Sequence, residues 1–168
     1  MPVELFTATW RVTGAINTNH IHIRDELNDT RRSVLVFREI EVADLNDMRA
    51  PRVTGNESWI DKSTVLFAVP QKIRGATSTL AQRTIQSRLG KNEHRLLLSL
   101  PSWRIIGHLY FVGRFQIEDA LRRDSAAFGS LSNVEMTFLP DPSISFVADE
   151  LAFNIHQVSM LCSQFDID

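Results

Sequence analysis

The segment Trp10-Arg11-Val12-Thr13-Gly14-Ala15-Ile16 returns 93 residues later (103 − 10) as Trp103-Arg104-Ile105-Ile106-Gly107-His108-Leu109. After a one-residue slip the echo continues. Ile21-His22-Ile23-Arg24-Asp25-Glu26-Leu27 matches Phe115-Gln116-Ile117-Glu118-Asp119-Ala120-Leu121, and Ile40-Glu41-Val42 matches Val134-Glu135-Met136. Self-similarity over a span longer than a solenoid unit implies two copies of one small domain. What recurs is a scaffold signature rather than a catalytic group: Trp10, Gly14, Asp25 and Leu27 in one copy, with Trp103, Gly107, Asp119 and Leu121 in the other.

A chain of 168 residues accommodates two such units. The boundaries read as residues 1–75, a linker at 76–91, and residues 92–168. Domains this small bury a modest fraction of their surface, so the copies are expected to pack together or to oligomerise. Apolar residues make up 43% and charged residues 23%, a globular balance. No stretch approaches the roughly 20 apolar residues of a membrane span. The start, Met1-Pro2-Val3-Glu4-Leu5, shows neither the basic region nor the apolar core of a signal peptide. Cys162 is the single cysteine, which excludes an intramolecular disulfide and a multi-cysteine metal site and points to the cytoplasm. A net charge of −2 gives no overall attraction for nucleic acid.

Strand patterns dominate both copies. Trp10, Val12, Gly14 and Ile16 alternate with Arg11 and Thr13, the period-two signature of a half-buried strand. His20-Ile21-His22-Ile23 alternates too, Ser33 to Phe37 is a continuous apolar run, and Glu39 to Val42 alternates again. Val65 to Val69 closes the copy at Pro70, which lacks a ladder N–H. The polar stretch Asp44 to Asp61, with Pro51 and Gly55, reads as a long loop. The second copy offers strands at Leu96–Leu98, Trp103–Val112, Val134–Phe138, Ser143–Ala148 and Leu151–Leu161, with a turn at Pro140-Asp141-Pro142. Between the copies, Leu80, Ala81, Ile85 and Leu89 make a helical stripe. Thr77 or Ser78 caps its start and Gly90 stops it, predicting a linker helix over 78–89.

Several residues carry a chemical and a structural reading side by side. His20 and His22 have a spacing that a metal can use, with Asp25 near; the alternative is two solvent-facing histidines on a strand. Asp25 and Asp119 can serve as paired acids or as caps of short helical turns, and the cap accounts for both with one cause. Gly14 and Gly107, in mid-strand, predict a bulge or bend that curls a sheet, the alternative being close approach of a ligand. Trp10 and Trp103 fit core or barrel-end packing better than base stacking, because alternation sends Arg11 and Arg104 to the opposite face. The linker is basic: Arg83, Arg88, Lys91 and Arg95 lie in a stretch from Lys72 to Arg95 in which Glu93 is the sole acid. That offers a phosphate-binding face or an ordinary solvated one. No nucleophile elbow and no glycine-rich phosphate loop is present. Ile106 and Tyr110 make the second face of their strand apolar, and a strand apolar on both sides is covered on both sides.

The pattern Trp-Arg-(Val/Ile)-x-Gly-x-(Ile/Leu), followed by (Ile/Phe)-x-Ile-x-Asp-x-Leu, resembles small bacterial β-barrel domains of the Sm-like or SH3-like kind. It is similar in particular to an uncharacterised bacterial family in which a glycine-containing strand precedes an Asp-x-Leu-Asn turn, here Asp25-Glu26-Leu27-Asn28. In the second copy, Asp119-Ala120-Leu121-Arg122 lacks the Asn. The resemblance implies about five strands per copy and a use in assembly or in binding RNA or protein. The Sm-type RNA-binding motif is recognisable in neither copy.

The sequence therefore predicts an all-β protein with one linker helix: two tandem small β-barrels packed with pseudo-two-fold symmetry. The expected function is a non-catalytic cytoplasmic interaction or assembly module without a cofactor, with Ile106 and Tyr110 on its self-association or partner surface. The alternatives are a nucleic-acid-binding regulator using the basic linker, and a small-ligand or metal-dependent enzyme at the interface of the copies.

Overall fold

The computed structural model describes residues 1–47, 50–71, 90–114, 116, 121, 126–163 and 165. The predicted linker helix, Asp119 and the Arg83 and Arg88 positions lie outside them. The described residues form ten strands in one antiparallel sheet, with a single α-helix. The strands are β1 (Pro2–Phe6), β2 (Trp10–Ile16), β3 (Val34–Asp44), β4 (Val53–Asp61) and β5 (Phe67–Pro70). They continue with β6 (Asn92–Leu100), β7 (Trp103–Phe111), β8 (Phe128–Phe138), β9 (Ser145–Asn154) and β10 (Met160–Ser163). Their order across the sheet is β10-β6-β7-β8-β9-β5-β1-β2-β3-β4. The run β5-β1-β2-β3-β4 becomes β10-β6-β7-β8-β9 when five is added to each number.

Local detail follows the same correspondence. β2 shifts register against β3 between Thr13 and Ala15, and β7 shifts against β8 between Ile106 and His108, so Gly14 and Gly107 each sit at the irregularity. A Cβ on Gly14 would lie 2.9 Å from the Arg38 carbonyl, too close for the backbone to stay in place, and one on Gly107 would lie 3.1 Å from the Leu131 and Val134 side chains, a tight contact to which they would have to yield. Opposite them the backbone takes positive φ at Glu39 (51°) and Asn133 (49°). Asp61 and Asn154 each cap a following 3-10 turn, accepting from the N–H of Ser63 and of His156.

Three expectations are corrected. The stretch read as a loop from Asp44 to Asp61 contains the nine-residue strand β4, of which all but Asn56 pair with β3. Its polar composition reflects an edge position, where one side of the ladder and much of both faces meet solvent. His20 to His22 is not a strand; it leads into the helix α1 (Ile23–Asn28), which buries Ile23 and Leu27. Leu151 to Leu161 is not continuous either, since the 3-10 turn 155–157 separates β9 from β10.

The junction of the sheet pairs β5 with β9, Phe67 opposite Phe153 and Ala68 opposite Ala152. These strands hold different places in the two orders. A pseudo-two-fold junction would join like patches reciprocally. Here β5, the first strand of one run, meets β9, the last strand of the other.

Two apolar clusters form the core, and each draws residues from both sides of the junction. Phe6, Leu45, Leu66 and Phe67 join the cluster around Trp103 and Leu151. Phe128 and Ala152 join the cluster around Val3, Leu35 and Phe37. The rings of Phe6 and Phe67 stack at 4.4 Å, and both meet Trp103 edge-on at 5.1 Å.

Candidate functional site

The short helix α1 locks onto the far side of the junction. Asn28 donates from its side-chain amide to the Phe128 carbonyl and accepts from the Phe128 N–H, both at 2.9 Å. In this way a side chain supplies β8 with the pairing that another strand would give. From the other side the buried Lys62 ammonium donates to the carbonyls of Glu26 (2.7 Å) and Asp29 (2.8 Å) at the end of α1, where the helix dipole favours a cation. Burial lowers the Lys62 pKa, against the opposing pull of Glu26 and Asp29. Beside α1 opens a cavity of about 180 Å³, lined by Asn28, Phe128, Gly129, Phe153 and Ile155 together with Arg24 and Asp25. Arg24 and Asp25 are paired at 2.9 Å, so the charge of each is met by the other.

The two histidines separate. His20 approaches Asp29 at 3.4 Å, whereas His22 approaches Glu150 of β9 at 3.3 Å. Among the described residues no group of three His, Cys, Asp or Glu side chains comes together to hold a metal. Asp25 lies in the first turn of α1 rather than at its cap; His22 holds the cap position without a side-chain bond. Leu27 is buried, and Leu121 packs at the margin of the core. The Asp29 carboxyl is held well below the usual carboxylate range by hydrogen bonds from Arg31.

The tryptophans, equivalent in sequence, differ in burial. Trp103 is 0% exposed and its indole N–H is buried without a hydrogen-bond partner among the described residues. Trp10 is 45% exposed. Ile106 is 9% exposed, so its side chain is not offered to a partner, and the half-buried Tyr110 donates its hydroxyl to Glu93 at 2.8 Å. Lys91 is exposed, and the exposed Arg95 places its guanidinium over the Phe165 ring at 4.9 Å.

The sequence patterns did not reveal the feature with the clearest capacity for interaction, the two ends of the sheet. Among the described residues β4 and β10 are the edge strands, each paired on one side only. On β4 stand Val53 (62% exposed) and Trp59 (64%), on β2 Trp10 (45%), and on β10 Met160 (50%). A long edge strand with apolar side chains and no proline is a template for further pairing. The signal available in the sequence was Trp59-Ile60 within a polar run, one apolar residue on each face of a strand. No helix among the described residues is long and apolar enough to cross a membrane. Comparison with protein-family models, with curated proteins and with solved structures gives no match.

Proposed function

We propose that this chain is a non-catalytic assembly module: two tandem small β-barrel repeats, joined head to tail, whose outer strand edges bind protein. The observation that carries the reading is the β5–β9 junction. There two unlike edges meet and share apolar side chains across the seam, while among the described residues a second pair of unlike edges is left unpaired at β4 and β10. The matching strand orders, the paired register shifts and the matched positive-φ residues support the duplication. The apolar exposure of Val53, Trp59 and Met160 supports an edge that works by being covered.

The test is the mass of the purified protein in solution, by native mass spectrometry and light scattering over a wide concentration range. The expected result is a species heavier than the 19.1 kDa chain. It should be lost when Val53→Lys and Trp59→Lys are combined in a protein that keeps its circular dichroism. A 19.1 kDa species at every concentration, alone and when isolated gently from its host, overturns the proposal.

A further inference from the structure

We infer that the open β4 edge of one chain pairs with the open β10 edge of a second copy of the same chain, antiparallel, with Ile60 opposite Met160 and Trp59 opposite Leu161. The inference rests on the assembly reading above and specifies its partner and register.

The register comes from the junction already present inside the chain. Phe67 lies opposite Phe6 in the β1–β5 pair, and Met160 opposite Ser99 in the β6–β10 pair, so Met160 occupies the place of Phe67 (160 − 67 = 93). Ile60 faces Leu35 as Phe153 faces Gly129, so Ile60 occupies the place of Phe153 (153 − 60 = 93). The internal pairs Phe67–Phe153 and Ala68–Ala152 thus translate into Met160–Ile60 and Leu161–Trp59 between chains.

The side chains flanking the two open edges are the counterparts of those that fill the seam. Inside the chain, Phe6 and Phe67 cover Trp103, and Phe146 lies in the same aromatic group. Trp10 and Val53 hold the places of Trp103 and Phe146, and both are exposed. The exposed Met160 thioether of the next chain would reach Trp10 as Phe67 reaches Trp103, a contact that sulfur and an indole favour. In the other direction, Phe128 and Ala152 complete the apolar cluster of the first half. Their counterparts at the open edge are Val34 and Trp59, so the large and small positions are exchanged. The cluster they would complete has Leu109 and Leu161 only partly buried.

One substitution weakens the copied seam and supplies a test. Asn154 donates from its side-chain amide to the Val65 carbonyl at 3.0 Å across the internal junction, and its N–H donates to Leu66 at 2.8 Å. Asp61 holds the corresponding place and has no amide to donate to the Val158 carbonyl of the next chain.

The experiment uses the full chain with Cys162→Ser and a cysteine at each of two edge positions, under a mild glutathione redox buffer. The Leu66–Asn154 bond makes Phe67–Phe153 a non-hydrogen-bonded pair, the kind whose Cβ atoms lie close. Ile60→Cys with Met160→Cys should therefore link chains into disulfide-bonded multimers. Ser58→Cys with Met160→Cys, two residues out of register, should link them at least about tenfold more slowly, because the Cβ separation exceeds disulfide reach. Asp61→Asn, in the otherwise unaltered chain, should lower the concentration at which half the chains associate by about tenfold, the worth of one good hydrogen bond. A discrete ring mass and an extending ladder both support the inference, since a head-to-tail contact gives either one. A disulfide within a single chain overturns it, because the sheet then closes on itself. Association without the 60/160 link overturns the register while leaving the assembly reading intact. A protein that stays monomeric with and without Asp61→Asn overturns both.

Discussion

Asn28 and Phe128, 100 residues apart in sequence, are bound through two 2.9 Å hydrogen bonds that join an amide side chain to a strand backbone. The contact is partly buried and spans the junction. A side-chain amide carries a donor and an acceptor side by side, and so can meet both backbone groups of one residue. Asn28→Ala removes both bonds and leaves the Phe128 N–H and carbonyl without these partners. The expected loss is about 2 kcal/mol, from roughly 1 kcal/mol per net hydrogen bond. Asn28→Asp keeps the acceptor and sets a carboxylate oxygen against the Phe128 carbonyl, so it should cost at least as much. Urea denaturation of the two variants checks this; an unchanged midpoint for Asn28→Ala would mean that the seam does not depend on α1.

Acid should weaken the end of α1 through Asp29. Hydrogen bonds from the Arg31 side chain and backbone, with a further one from His20, hold the Asp29 carboxyl well below the ordinary carboxylate value of 3.8. A depressed carboxyl contributes stability that is fully present above its unfolded value and is lost as pH falls through its folded value. The decline due to Asp29 should therefore begin near pH 3.8 and continue below it. Asp29→Asn should flatten the stability curve in that window and leave the curve above pH 5 parallel to that of the unaltered chain. Denaturant titrations at closely spaced pH values measure the difference.

The two tryptophans should answer truncation differently. Trp103 is fully buried among Phe6, Phe67, Phe138 and Phe146, and Trp103→Ala should cost about 3–5 kcal/mol. Trp10 is nearly half exposed, and Trp10→Ala should cost about 1 kcal/mol or less in dilute protein, because little of its area is withdrawn from water. Unfolding at rising protein concentration adds a check: the Trp10→Ala penalty should grow with concentration if assembly covers that indole, and stay constant if it does not.

The sequence disclosed most where geometry is local. The Trp10 and Trp103 strands and the irregularities at Gly14 and Gly107 follow from side-chain period and glycine placement, and the helical turn around Asp25 to Asn28 from a segment too short and acidic for a strand. β4 was hidden because an edge strand needs no apolar face along its length; Thr54, Asn56 and Glu57 look like loop and behave as strand. The His20 to His22 alternation misled because two or three residues cannot distinguish a strand from a helix approach. The β5–β9 junction was illegible because pairing between distant strands leaves no period in the sequence. Ile106, on an apolar strand face, is 9% exposed.

The seam at Phe67–Phe153 and Ala68–Ala152 lies within one covalent chain, whereas the β4 and β10 edges sit at its two ends. Seams of the first kind survive any dilution, because the chain itself keeps both partners at a high effective concentration. Contacts made by the outer edges follow mass action. If the chains assemble as proposed, the assembly would carry two alternating kinds of joint, one permanent and one that dissolves on dilution, and any ring it closed would contain an even number of the proposed five-stranded units.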